Sequence, residues 1–556
     1  MKGFTFDKNY FWLFLILIGT ALLYSKGLHY QFVNWDDNMM VLSNPTLDKS
    51  FLQCIIDSFS KTYIGLYHPL TIISLKIDSL LYGTDPFGYK LSNLIFHIIS
   101  VIFLFLTLKR YFNHSIVVLS TIVFALHPMH VESVAWVSER KDVLFATFYV
   151  ISLYFYSQSK KKNKVLNYSL SFFAFILSLL SKSAAVTIPV VMLVFDYVSE
   201  KSFSLKQIIK KSHFFILSLA FGILTITLFD TQNNLFVYPN DYGLIHKFLI
   251  PFNGYLFYII KFILPVNLSA AYLFPLSSEG FSFVFYSSPA IILILILIIW
   301  KSGIYKNKII LSGIIIYTVT IFLFLQILPH GRVYAANRYS YIPYIGLSII
   351  TGYFLHKYIQ QKIVANTILS VISIVLFLIS IQHIKIWQNG VSLFTNIIEY
   401  NPDHNLGYTN RGAAYYYGFS KNKKPDYQKC IRDCNIDISL NPIDSVSIFN
   451  RGNSFFNIGN LEKARKDYHK CILIEDNHYK AYNNLGLSYA YSNNFEKAIE
   501  LYHKSIEINN SFPDSHNNLG FALFYTGDTL NACSEWNKAI TGGNLQSVKF
   551  FHEFCE

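Results

Sequence analysis

The chain has 556 residues, of which 53% are hydrophobic and 14% charged. A soluble protein carries about 25% charged residues, so this composition excludes a wholly soluble chain. The net charge of +13 does not point to nucleic acid, because no basic-aromatic nucleic-acid module is present. Its lysines instead fall in short clusters between apolar runs, the signature of cytoplasmic loops in a membrane protein.

Apolar runs recur from Tyr10 to Ile381, and the chain turns polar and rich in Asn and Tyr from about His383. Two domains are expected, a membrane domain over 1–382 and a soluble one over 383–556. The first run follows Lys2 and Lys8 and reads as an uncleaved signal anchor. Further basic clusters sit at Lys109/Arg110, Lys160 to Lys164, Lys201 to Lys211, Lys301 to Lys308 and Lys357/Lys362. With all six on the cytoplasmic side, about eleven spans are predicted: 10–26, 91–108, 115–128, 141–158, 165–182, 184–198, 213–229, 287–300, 309–328, 340–356 and 363–381. Lys247 to Leu264 is apolar too, but a crossing there would turn Lys301, Lys306 and Lys308 outward. With Pro251 and Pro265 flanking it, it is expected to be an irregular or re-entrant outer segment. An odd span count places the soluble domain outside the cytosol, together with Asp36, Asp37 and the loop from Tyr272 to Phe285.

Ionisable residues at membrane depth are costly and mark function. Several fall at the predicted outer ends of spans: Asn34-Trp35-Asp36-Asp37, His127-Pro128-Met129-His130-Val131-Glu132, Ser138-Glu139-Arg140-Lys141-Asp142, Lys182, Arg332 and Arg338. Carboxylates and cations on one face suit transfer from a phosphate-linked lipid. Cations hold the phosphate and take the charge that develops as its bond breaks. A carboxylate takes the proton of an acceptor hydroxyl. Asp36 is the expected base, with Asp37 orienting it or taking its place; Arg140, His127, His130, Lys182 and Arg338 are the expected phosphate ligands, with Glu132, Trp35 and Lys141 in support. Each has a plainer alternative. The aspartates can cap a helix, the histidines can be satisfied by backbone, and Arg140 and Lys141 can snorkel to headgroups. Trp136 reads as part of an interfacial aromatic belt. The adjacent carboxylates also permit a divalent metal without requiring one.

The soluble part repeats itself. Asn410-Arg411-Gly412, Asn450-Arg451-Gly452, Asn484-Leu485-Gly486 and Asn518-Leu519-Gly520 lie 40, 34 and 34 residues apart. With Ala464 and Ala498 in the following helices, this is the tetratricopeptide pattern. The longer first interval is expected to hold an insertion around Lys421 to Lys424. Stacked helix pairs make a solenoid whose groove binds polypeptide, or else serve self-association or stability. The six cysteines form no CxxC pair, and Cys430 and Cys434 read as small core residues.

Together these motifs resemble the transmembrane and tetratricopeptide-repeat family of GT-C glycosyltransferases, with its bacterial relatives. The resemblance rests on Phe32 to Asp37 with Asn44-Pro45, on the long run His127 to Asp142, and on Ser181-Lys182 with Thr187-Ile188-Pro189. It continues through Asp196-Tyr197, Pro265-Val266-Asn267-Leu268 with Tyr272, and Asn337-Arg338-Tyr339-Ser340-Tyr341-Ile342-Pro343. It implies an all-α chain, a GT-C-type membrane helix bundle followed by a repeat solenoid. It also implies a polyprenyl-phosphate sugar donor, most simply mannose, and a Ser or Thr acceptor hydroxyl on a secreted or periplasmic protein presented by the repeats. The family's acidic residue of the first outer loop falls on Asp36 or Asp37, and its Arg between the third and fourth spans on Arg140. The family's Asp before the late Arg-Tyr is here Asn337, which removes a negative charge. The expected setting is a bacterial inner membrane with site and repeats periplasmic, or the endoplasmic reticulum in a eukaryote. Rival readings are a membrane-anchored scaffold without catalysis and a transferase acting on glycan or lipid.

Overall fold

A backbone in hydrocarbon has no water to bond, so apolar segments fold as helices that satisfy every N–H internally. In the computed structural model the described residues are 8–161, 163–200, 204–233, 242–276, 280–329, 331–419 and 424–556. Of the basic clusters, Lys2, Lys162 and Lys201 lie outside the described residues, as do three residues of the Tyr272 to Phe285 loop. The chain divides into two compact units, 1–396 and 397–556.

Among its described residues the first unit is helical, with one two-stranded antiparallel ribbon pairing Tyr272–Leu273 with Val333–Ala335. Among the described residues six helices are long and apolar enough to cross a membrane: Tyr10–His29, Pro86–Leu108, Lys164–Ser181, Ser183–Glu200, Phe283–Lys301 and Lys362–Gln388. A seventh crossing results if His114–Leu126 and Pro128–Ala135, bent by 48° at His127, act as one. By length and composition the described residues thus do not confirm the expected eleven spans. Lys308–Phe322 has 15 residues, a rise of about 23 Å against a hydrocarbon core of about 30 Å. Arg140–Ser159 has the length but opens on three charged residues. Leu244–Ile263 also differs from expectation, running as a helix through Pro251. Packing of Leu249 and Ile250 with Tyr242, Phe274, Phe281 and Phe285 holds it in place.

Exposure follows the lipid requirement. Phe283–Lys301 leaves Leu293, Ile294, Ile296, Ile298 and Trp300 uncovered, an apolar surface that only lipid or a partner satisfies. Other helices meet closely through small residues. A Cβ at Gly346 would lie 2.5 Å from the Gly313 carbonyl and from the Tyr317 nitrogen, so the Lys308–Phe322 and Pro343–Tyr358 helices cross nearly backbone to backbone.

The second unit contains four helix pairs: Asn405–Tyr417 with Tyr427–Leu440, Ser445–Asn457 with Leu461–Ile474, Tyr479–Ala490 with Phe495–Ile508, and Pro513–Tyr525 with Thr529–Thr541. Leu545–Phe554 follows as a final helix. Each second helix is capped at the same point of the repeat. Asp426, Asn460, Asn494 and Asp528 accept from the backbone three residues on, at 3.1, 3.2, 3.1 and 3.2 Å. The extra residues of the first interval lie between Tyr417 and Tyr427; 420–423, where the insertion was expected, are outside the described residues.

The repeated glycines have a packing cause. A Cβ at Gly486 would come within 2.8 Å of the Tyr502 ring, and one at Gly520 within 2.6 Å of Trp536. Trp536 is fully buried and has nowhere to move. The repeated arginines are also placed by geometry. Arg411 grips Asp433 through two bonds of 2.7 and 3.0 Å, and Arg451 grips Asp467 through two of 2.9 and 2.7 Å. Gly520→Ala is expected to destabilise the chain by about 1–3 kcal/mol through overpacking, lowering the midpoint of thermal unfolding. Gly222→Ala, where a Cβ meets nothing within 4 Å, is expected to leave it unchanged.

Candidate active site

The loop after the first apolar helix enters the site through Asp37. Its carboxylate is fully buried, accepting the Val33 N–H at 2.9 Å through Oδ2 and both the Ser138 N–H at 3.0 Å and the Ser138 hydroxyl at 2.5 Å through Oδ1. Burial pushes its pKa up, while the Ser138 hydroxyl, Lys90 and the two N–H groups oppose that rise. Asp37 thus ties the loop to the turn before the Arg140–Ser159 helix.

That bond leaves Asp36 half-buried, with no hydrogen bond to its carboxylate among the described residues. Burial lifts its pKa, Lys141 and Arg338 pull it down, and Glu139 and Asp37 push it up. Trp35 lies against Trp136, ring centroids 5.3 Å apart, and Trp136 stacks on Trp387 at 5.2 Å. Trp136 is 2% exposed, so its expected place in an aromatic belt is corrected: it is the middle ring of a buried stack.

The cations divide into two kinds. Arg338 is partly accessible and ion-paired to Glu132 and, at 3.3 Å, to Glu139, with its guanidinium 5.5 Å from the Trp136 ring centre. Lys141 pairs with Glu139 at 3.1 Å, and Lys182 with Asp142. These three retain exposed side-chain surface of 15, 12 and 16%. Glu139 is held down to about 2 because Lys141, Arg338 and Lys182 outweigh its burial, and it stays charged. Glu132 is wholly buried and serves Arg338.

Arg140 differs. It is fully buried and gives its donors to Asp78 and Asn93 at 2.5 Å each, to the Tyr89 carbonyl at 2.8 Å and to Ser74 at 3.3 Å. A guanidinium committed to four acceptors has no free edge for a phosphate; the geometry gives it an anchoring role in place of the expected phosphate contact. The two histidines are likewise enclosed. His127 Nδ1 accepts the Met129 N–H at 3.2 Å, so that nitrogen carries no proton, and His127 caps the short helix that follows. His130 Nδ1 bonds the Phe124 carbonyl at 3.0 Å, and its ring lies edge-on to Tyr341. Both are core residues of the helix break.

Asn337 donates to the Ser269 carbonyl at 2.8 Å and accepts from the Tyr272 hydroxyl at 3.0 Å. The amide has both a donor and an acceptor to offer, which this position needs and a carboxylate lacks. It fixes the turn that aims Arg338. Arg332 is exposed, beyond this group.

Sequence reasoning missed Asp78, Asn93 and Lys90, the buried partners of this turn, and His68. Lys90 donates to the Ala135 carbonyl at 2.8 Å and Asn93 to the carbonyls of Val134 and Trp136 at 3.2 and 3.0 Å. A usable signal existed: Asp78, Lys90 and Asn93 interrupt otherwise apolar helices and so demand buried partners.

A divalent metal at the aspartate pair does not fit. Asp37 has both oxygens engaged by donors, leaving Asp36 as the only free carboxylate of the two.

Residues 69–229 match the family described as dolichyl-phosphate-mannose-protein mannosyltransferase. Residues 446–478 and 486–527 match tetratricopeptide-repeat families. The chain is similar to human protein O-mannosyl-transferase TMTC3, 36% identical over 95 residues, covering 17% of this chain and 10% of that protein. It is 30% identical over 152 residues to Xenopus laevis tmtc2, covering 26% and 18%, and 25% identical over 204 residues to Caenorhabditis elegans F38B6.6, covering 34% and 28%. The matched stretches thus span between a tenth and just over a quarter of these relatives' lengths. A tetratricopeptide protein of Thermus thermophilus aligns over 30% of this chain and 89% of its own at 13% identity, with a TM-score of 0.26. The resemblance read from the motifs therefore holds: a mannosyltransferase-domain match is joined in this chain to tetratricopeptide-repeat matches, and the relatives named above are protein O-mannosyl-transferases.

Asp37→Asn is expected to lower thermal stability by about 1–3 kcal/mol, since an amide nitrogen would face donors. Asp36→Asn, with no such bond to lose, is expected to melt with the wild type. Equal losses in both would erase the difference between the two carboxylates.

Proposed function

We propose that this chain is an integral membrane glycosyltransferase that moves a sugar, mannose by the likeness of its matched domain, from a polyprenyl-phosphate carrier to a Ser or Thr hydroxyl of a secreted or periplasmic protein. The observation that carries the reading is the half-buried, unbonded Asp36 carboxylate beside the accessible cations Lys141 and Arg338. Asp36 takes the proton of the acceptor hydroxyl. The freed oxygen attacks the anomeric carbon from the face opposite the phosphate. The bond from that carbon to the phosphate oxygen breaks, and its electron pair leaves with the polyprenyl phosphate. Configuration inverts in this single displacement. Lys141, Lys182 and Arg338 hold the phosphate and take up its growing charge, while Arg140 and Asp37 fix the turn that carries them. No step runs through a metal.

The repeats supply a groove for the acceptor polypeptide. Their placement outside the cytosol is supported by the Cys533–Cys555 disulfide in the final repeat helices, since disulfides persist in oxidising compartments. The other four cysteines are buried thiols.

Transfer of labelled mannose from polyprenyl-phosphate mannose to envelope protein is expected to fall at least about 100-fold in Asp36→Asn, the scale of a lost general base. Undiminished transfer in that variant would remove Asp36 from the mechanism. The acid limb of the rate profile is expected above the ordinary aspartate range, because burial raises the Asp36 pKa and the base must be ionised. Glu139, held near 2, adds nothing to that limb. In cells, maleimide is expected to label Cys533 and Cys555 only after reduction, and a phosphatase fused after Glu556 to be active. A fusion active only in the cytosol would overturn the orientation.

A further inference from the structure

His68 caps the start of the 14-residue helix Pro69–Tyr82, but its side chain makes no capping bond. It is 3% exposed, and among the described residues neither ring nitrogen has a hydrogen-bond partner. Three other histidines at helix starts behave differently: His127, His404 and His478 each accept a backbone N–H at 3.2, 3.2 and 3.1 Å. A buried imidazole left unpaired is unfavourable, so its position calls for a ligand.

Its surroundings point to the ligand's charge. Thr71, on the first turn of the same helix, donates its hydroxyl to the Ser181 carbonyl at 3.2 Å, pinning this helix end to the residue before Lys182. Burial is the main cause that keeps His68 from protonating; the positive side chains of Lys141 and Lys182 add to it, and Glu139 partly offsets them. A neutral imidazole keeps one N–H to give. The helix N-terminus adds partial positive charge directed at the same place.

We infer that His68 and the N-terminus of the Pro69–Tyr82 helix complete a phosphate subsite with Lys141 and Lys182, and that the phosphate it takes is that of the lipid-linked donor. This rests on the transferase reading above. One imidazole nitrogen donates to a non-bridging phosphate oxygen. The lysines keep their carboxylate partners, since an ammonium has three protons to share. The subsite gains most as the sugar departs and the phosphate becomes a dianion.

The test uses the full-length protein in detergent with farnesyl phosphate as probe and farnesol as the uncharged control, followed by tryptophan fluorescence. His68→Ala is expected to weaken farnesyl phosphate binding about tenfold or more, the loss of one hydrogen bond to a charged group. His68→Gln, which keeps a donor, is expected to recover much of that loss, and farnesol binding is expected to be unaffected in both. Unchanged farnesyl phosphate affinity in both variants overturns the inference, and so does an equal loss for farnesol, which marks a packing defect. Displacement of the probe by phosphatidylglycerol or inorganic phosphate at matching concentrations overturns the assignment to the donor. His68-dependent binding in a protein that transfers no mannose would sink the transferase reading and leave the phosphate site standing. Active transfer with His68-independent binding does the reverse.

Discussion

The buried carboxylate of Asp37 is the point on which the site depends. A charge removed from water must be met by donors, and Asp37 finds three, from Val33 and from the backbone and hydroxyl of Ser138. Because those donors belong to two distant stretches, the bond network fixes one loop against another. Asp36, one residue before it, lies within the electrostatic reach of Lys141 and Arg338, and Trp35 is laid on Trp136. Lys90 and Asn93 also hold this turn through the carbonyls of Val134, Ala135 and Trp136. The turn is thus rigid by construction, which suits residues that must meet a substrate with little reorganisation.

Two arginines show how burial divides labour within one charge group. Arg140 and Arg338 both carry a fork suited to phosphate. Arg140 spends its fork on Asp78, Asn93, Tyr89 and Ser74 in the interior, where an unpaired charge would be strongly unfavourable. Arg338 is oriented by Glu132 and Glu139 but keeps exposed surface. Anions in the interior therefore aim the cations, and the cations left at the edge are the ones that can meet a ligand. Glu139 illustrates the reciprocity: it is buried, yet three neighbouring cations keep it ionised.

Much of the repeat unit was legible as sequence. Period and glycine spacing follow from local rules, because Gly452, Gly486 and Gly520 each face an aromatic ring on the next helix and each cap sits at a fixed offset. The membrane unit was legible in outline. Charge clusters and apolar runs located its helices, but run length did not settle the crossings, since a hydrophobic stretch such as Lys308–Phe322 is a short packed helix. The helix Pro69–Tyr82, which brings His68 and Asp78 to the site, fell outside the expected spans, because Lys76 and Asp78 interrupt its short apolar run.

By itself the sequence determined the two-part organisation, the membrane character, the repeat class and the set of ionisable residues from which a site could be drawn. These depend on composition and on spacing along the chain, which short-range physics reads directly. Only the tertiary structure decided which members of that set are accessible. Asp36 against Asp37 and Arg338 against Arg140 are chemically alike in pairs. They differ solely in what distant segments place around them, because desolvation and hydrogen-bond partners come from the packed neighbourhood.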